Sequence, residues 1–144
     1  MVTVRQYLRI KGTQVWTARP DDTVYAALQR MADKDIGALL VLDGEQIVGI
    51  FSERDYARKV ALHGKSSRDT RVGEIMTGWV AYVRPEQTIE ECMALMTEMH
   101  TRHLPVIEEG RVVGLISIGD VVKSIISEQE FVIQQLEHYI MGER

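Results

Sequence analysis

The stretch GIFSERD at residues 49–55 decides the reading of this chain, because it returns as GLISIGD at residues 114–120. In each copy a glycine and two apolar residues lead into Ser-x-x-Asp, first at Ser52 and Asp55 and then at Ser117 and Asp120. A hydroxyl residue followed three positions later by an acid, just after an apolar run, marks a strand that ends where a helix begins. The hydroxyl can accept from the third backbone N–H of that helix, and the acid sits in the first turn, where the helix dipole favours negative charge. The same geometry has a second use. The first N–H groups of a helix point toward an anion, the serine hydroxyl can join them, and the aspartate can take two ribose hydroxyls in bidentate fashion. The preceding glycine would let a ligand or another backbone come close. One copy would favour a simple cap. Recurrence in the same setting shifts the balance toward a nucleotide grip.

Working outward from the turns, the sequence matches itself without gaps at an offset of about 65 residues. Val15 falls on Val80, Arg19-Pro20 on Arg84-Pro85, Thr23 on Thr88, Met31 on Met96, Leu39 on Leu104 and Val48-Gly49 on Val113-Gly114. Two copies are too few for a solenoid, and a copy of roughly 50 residues is marginal alone. The copies are therefore expected to pack on each other about a pseudo-twofold axis, with equivalent loops flanking a shared cleft.

Within one copy, residues 14–18 read as a strand stopped by Pro20, and Asp21-Asp22-Thr23 starts a helix that runs to about Asp33 and is expected to end at Gly37. Residues 38–42 and 46–51 form a hairpin around Asp43-Gly44, and a second helix opens at Ser52 and runs to about Leu62. The second copy repeats this with a strand over 80–83, a helix over 89–99, strands over 104–107 and 111–116, and a helix from Ser117. Residues 3–9 read as a short leading helix and 63–71 as a linker, with a helical turn ending near Met76. Residues 127–140, with Phe131, Leu136 and Ile140 roughly in stripe, read as an amphipathic terminal helix. That helix either caps its own chain or forms part of a dimer interface. The fold class is α+β, two β-α-β-β-α repeats (7–62 and 72–127, joined by 63–71) followed by a C-terminal helix over 128–144.

Composition narrows the function. A chain of 144 residues with 45% hydrophobic and 26% charged residues is ordinary globular protein. A net charge of −4 argues against nucleic acid or an anionic membrane as partner. Cys92 is the single cysteine, which fits a reducing compartment, and no apolar run approaches the roughly 20 residues of a bilayer span. The expectation is a soluble cytoplasmic protein.

The duplication, the runs GALLVLD and RHLPVIE, the two turns, and GEIMT ahead of the second copy together resemble a tandem pair of CBS domains, the regulatory module called a Bateman domain. The resemblance covers residues 7–127 and is strongest to small stand-alone CBS-pair proteins, through SERDYARKV, SIGDVV and the trailing helix. It implies clefts that bind adenine nucleotides (AMP, ADP, ATP, NAD or S-adenosylmethionine). Ser52, Asp55, Ser117 and Asp120 would then hold ribose and phosphate. The resemblance places adenine against the opposite repeat: Val80, Ala81, Thr101 and Arg102 for the first site, and Val15, Trp16, Ile36 and Gly37 for the second. Trp16 reads equally well as a packing residue. Arg54, Arg102 and His103 are the phosphate candidates. Gly37 and Ala38 match Arg102 and His103, and Gly119 matches Arg54, so the two sites are expected to be unequal.

His100 and His103 lie three apart without further ligands nearby, so no metal is expected. Cys92 reads as a small core residue. No nucleophile, P-loop or paired-carboxylate arrangement supports catalysis. The expectation is a non-catalytic adenine-nucleotide sensor, a homodimer acting on a separate protein effector. The alternative is a structural or partner-regulating protein with vestigial nucleotide sites.

Overall fold

A computed structural model describes the backbone of residues 1–140 and the side chains of residues 1–137. The chain divides into two compact units, one of residues 14–80 and one of residues 1–13 with 81–144. The last four residues of the expected terminal helix lie outside the described residues.

In the first unit, β1 (Thr17–Ala18) pairs parallel with β2 (Ala38–Asp43), which pairs antiparallel with β3 (Gln46–Ser52). The helix α2 (Val24–Lys34) follows β1, capped by the Thr23 hydroxyl. Beyond β3, α3 begins as one α-helical turn (Glu53–Asp55) and continues as a π-helix (Tyr56–Ala61). A short helix, α4 (Val72–Ile75), completes the unit. Val24, Leu39, Val41, Phe51, Val60 and Val72 are among the residues of its core.

The second unit begins with α1 (Val4–Lys11) and resumes at α5 (Ile89–Met99), β4 (His103–Glu108), β5 (Arg111–Ser117) and α6 (Ile118–Ile140). Its core includes Val4, Leu8, Ile89, Leu104, Ile116 and Val121. The irregularity between Val41 and Leu42 recurs between Val106 and Ile107, so even the strand bulge is duplicated. The expected break between a helix at Ser117 and a terminal helix from 128 is absent: α6 is continuous.

Two local expectations need correction. Gly37 does not end α2. Asp35 does, in the left-handed conformation (φ 53°), with the Ile36 N–H returning to the Met31 carbonyl. His100 ends α5 in the same way (φ 53°), with Thr101 N–H bonded to Met96. The strand expected over 80–83 is reduced to one parallel bridge, Val83 to Val106. Pro105 stands where β2 has Leu40 and lacks the N–H that would extend the ladder.

The short helices show an exchange that the 65-residue offset concealed. Val72 N–H bonds the Asp22 carbonyl and Val24 N–H bonds Thr70, so α4 is stitched to the start of α2. Val4 N–H bonds Gln87 and Ile89 N–H bonds Val2, stitching α1 to the start of α5 in the same manner. The segment ahead of the first repeat therefore completes the second, and the segment ahead of the second completes the first.

Candidate functional site

The two Ser-x-x-Asp turns are caps before they are anything else. Ser52 Oγ accepts from the Asp55 N–H at 3.1 Å while Asp55 Oδ2 accepts from the Ser52 N–H at 3.0 Å. Ser117 and Asp120 repeat the exchange at 3.2 and 2.8 Å. The expected row of open amides is also shortened at its start. Glu53 N–H bonds the Gly37 carbonyl at 3.0 Å, and Ile118 N–H bonds the Arg102 carbonyl at 2.9 Å. Among the described residues this leaves the Arg54 amide open in one turn and the Gly119 amide in the other.

These bonds also regroup the expected pocket residues. In an antiparallel hairpin the start of one strand lies beside the end of the next, so Ala38 faces Ser52 and His103 faces Ser117. Ile36 and Gly37 accordingly sit at the Ser52 turn, and Thr101, Arg102 and His103 at the Ser117 turn. The main chain joins each set to the turn of its own repeat. Val15, Trp16 and Val80 belong to the unit of Ser52, and Ala81 to that of Ser117. Trp16 is partly buried against its unit's core, with Lys34 Nζ 4.2 Å from the ring centroid. The packing role is therefore the one the structure shows.

Neither glycine before the turns is kept open for a ligand. A Cβ on Gly49 would lie 2.7 Å from Met76 Sδ and 2.8 Å from the Thr77 carbonyl oxygen. One on Gly114 would lie 2.8 Å from both methyl carbons of Leu8. The close approach is that of the chain's own α4 and α1 segments.

Each aspartate is held further by a hydroxyl and an ammonium, residues the sequence reading did not single out. Asp55 Oδ1 accepts from Thr77 Oγ1 at 3.1 Å and pairs with Lys59 Nζ at 3.0 Å. Its Oδ2 also accepts from Ser52 Oγ at 3.1 Å. Asp120 Oδ1 accepts from the Tyr7 hydroxyl at 3.1 Å, and Oδ2 pairs with Lys11 Nζ at 2.6 Å. Lys11 also donates to the Leu115 carbonyl, as Lys59 does to that of Ile75. Lys59 was findable, since it lies four residues past Asp55 on the same helix. Lys11 and Tyr7 lie more than 100 residues from Asp120 and carry no local signal.

Burial pushes the Asp120 carboxyl up, but the Lys11 ammonium and the Ser117 donors outweigh it, and the group rests below its ordinary 3.8. Burial first, and then the Asp120 charge, push the Tyr7 hydroxyl up to about 12. An ionised carboxylate offers about four acceptor positions. Asp55 uses four of them on protein donors. Asp120 takes Lys11 and Ser117 on Oδ2 and Tyr7 alone on Oδ1, which leaves one position on Oδ1 for a further O–H. Arg102 is exposed beside this second turn, and Arg54 is exposed in the first. Cys92 is fully buried, with its thiol pushed up to about 11 by burial and by Glu91 and Glu90, as suits an inert core residue. No helix among the described residues is long and apolar enough to cross a membrane.

Comparison with known proteins places this geometry. The CBS domain family model matches residues 8–62 and again 72–127. A CBS-domain protein from Burkholderia ambifaria, named for signal transduction, shares 56% identity over 89% of this chain and 96% of its own, with a TM-score of 0.85. A mitochondrial CBS domain-containing protein of Arabidopsis thaliana is 43% identical over 91% of this chain, which spans 66% of that relative. A hexameric CBS-CP12 protein from bloom-forming cyanobacteria is 31% identical, covering 85% of this chain and 70% of its own, with a TM-score of 0.76. With two family matches spanning most of its length, each containing a capped Ser-x-x-Asp turn, this chain belongs to the CBS-domain family and carries a tandem CBS pair, a kind of module that is generally regulatory and nucleotide-binding.

Proposed function

We propose that the chain is a non-catalytic sensor of an adenine nucleotide, AMP or a relative such as ADP, ATP or NAD, and that the Ser117 turn is its tighter site. The observation that carries this is the unused acceptor position on Asp120, set beside the Gly119 amide and the Arg102 side chain. A ribose hydroxyl can bond Asp120 without displacing a protein donor. Gly119 N–H and Arg102 then face the phosphate, with no side chain on residue 119 to obstruct it. Family membership supports the adenine; the turn supports the ribose and phosphate end.

The Ser52 turn favours the structural reading. All four acceptor positions of Asp55 serve Ser52, Thr77 and Lys59, so a ribose must displace one of them. We assign it as the weaker site, held mainly to dock α4.

The nucleotide acts by shifting the chain between two states of different affinity for a separate effector protein; binding without that difference would regulate nothing. The single inert cysteine suits a reducing compartment. A thermal-shift panel tests the reading. AMP at a hundredfold excess over its dissociation constant should stabilise the protein by about 2.7 kcal/mol, and 2′,3′-dideoxy-AMP should give little or nothing. Equal shifts from both compounds would remove the ribose grip, and no shift from AMP, ADP, ATP or NAD would remove the sensor.

A further inference from the structure

We propose that the Tyr7 hydroxyl is the second ribose contact of the Ser117 site and that a bound nucleotide thereby locks α1 onto its unit, a proposal that rests on the nucleotide reading of that turn. Tyr7 Oη donates its only hydrogen to Asp120 Oδ1 at 3.1 Å. A phenol oxygen that donates keeps its lone pairs, so Oη is itself an acceptor. Beside it, Asp120 Oδ1 has one acceptor position left. Two acceptor oxygens at a hydrogen-bond separation match a vicinal cis-diol, whose own oxygens are spaced by about the same length. A diol laid along the pair gives one hydrogen to the carboxylate and the other to the phenol, and no existing bond breaks. The Ser52 turn offers no such pair, because Asp55 Oδ1 already carries both Thr77 and Lys59.

The packing of α1 makes this contact consequential. Val4 and Leu8 are buried and fix the inner face of the helix, and Tyr7, three residues past Val4, lies partly buried on the same side. The start of α1 is held without the site, by the Val4 N–H on Gln87 and by Arg5 on Glu86 and Glu108. Its second half is held differently. Leu8 sits over Gly114, Lys11 reaches the Leu115 carbonyl, and the remaining bonds, from Tyr7 and Lys11, both end on Asp120. A helix of 8 residues has little stability of its own, so the order of that half depends on these contacts. A nucleotide bonded to both Tyr7 and Asp120 must be released before α1 can lift. By linkage, docked α1 raises the affinity for nucleotide by the same factor as nucleotide favours docking. The occupied site is thus read out at α1, a surface element, through one phenol.

Calorimetric titration of AMP, 2′-deoxy-AMP and 3′-deoxy-AMP into the full chain, as wild type and as Tyr7→Phe, tests the proposal. At the dominant site of wild type, loss of either hydroxyl should weaken binding about fivefold, the worth of one hydrogen bond. Tyr7→Phe should weaken AMP by a similar factor. In that variant one of the two deoxynucleotides should bind as well as AMP, because the hydroxyl it lacks no longer has a partner, while the other keeps its penalty. Hydrogen exchange over residues 4–11 should slow when AMP binds wild type and not when it binds Tyr7→Phe. Wild-type affinity for AMP in Tyr7→Phe, both deoxy penalties persisting in that variant, or exchange of α1 that AMP leaves unchanged or speeds up would each overturn the proposal and leave the nucleotide reading standing. Absence of AMP binding to wild type would overturn both.

Discussion

The turns of the two repeats end in the same serine and aspartate but hold the aspartate by different means. At Asp55 the ammonium comes from Lys59 on the same helix, and the hydroxyl from Thr77, just beyond α4. At Asp120 both come from α1, through Lys11 and Tyr7. The position matching Lys59 is Ser124, which is buried and cannot take that role. Duplication preserved an electrostatic requirement, a carboxylate satisfied on both oxygens, without preserving the residues that meet it. The consequence is unequal coupling. A ligand on Asp120 shares its carboxylate with the anchor of α1, whereas the cation at Asp55 is local to α3.

The largest difference between the repeats should appear at the glycines. Gly49→Ala drives a methyl into the Thr77 backbone oxygen and should destabilise the protein by about 1–3 kcal/mol. Gly114→Ala meets only the methyls of Leu8, which can give way, and should cost about half as much by the same reasoning. Chemical denaturation of the two variants checks the order; a costlier Gly114→Ala would break the comparison.

These glycines also show what was legible in the sequence. Their place ahead of Ser-x-x-Asp was plain, and it correctly marked a close approach, but the approaching group is Leu8 or Met76 in place of a ligand. The exchange of α1 and α4 escaped because those helices match at an offset of 68 residues, three more than the repeats. At that offset Val4 falls on Val72 and Leu8 on Met76, a signal that was present but out of register. The hairpins and capped helices were readable because their chemistry is local. Lys11 was not, because its meeting with Asp120 is made only by tertiary packing. Asp35 was not read as a helix end because glycine is the usual residue there, and Gly37 stood close enough to take the assignment, whereas His100 lies where the helix over 89–99 was expected to stop.

A smaller effect should separate the two lysines. Lys11→Met removes a half-buried ion pair and an anchor of α1, and should cost about 1 kcal/mol; Lys59→Met, on a more exposed pair, should cost no more than about 0.5 kcal/mol. Hydrogen exchange should speed up over residues 4–11 in the first variant and leave that helix unchanged in the second. Faster exchange of α1 in Lys59→Met would contradict the assigned anchors.

The smallest effects concern pH. The Asp120 carboxyl is lowered, so its stabilisation is complete above the ordinary 3.8 and is lost as pH falls through the folded value. The Tyr7 hydroxyl is raised to about 12, so its stabilisation is complete below its ordinary 10.0 and is lost as pH climbs toward 12. Thermal melts across both limbs should show Asp120→Asn flattening the acid limb and Tyr7→Phe the alkaline one. A Tyr7→Phe melt that falls as steeply as wild type above about pH 10 would remove Tyr7 from the network.

The central claim is that the Ser117 turn is the tighter nucleotide site, and calorimetric titration of AMP into wild type, Asp55→Asn, Asp120→Asn and Arg102→Ala tests it most directly. The expected result is one dominant site that survives Asp55→Asn, is lost in Asp120→Asn and weakens at least tenfold in Arg102→Ala. Two sites of equal affinity with no loss for Arg102→Ala would contradict it.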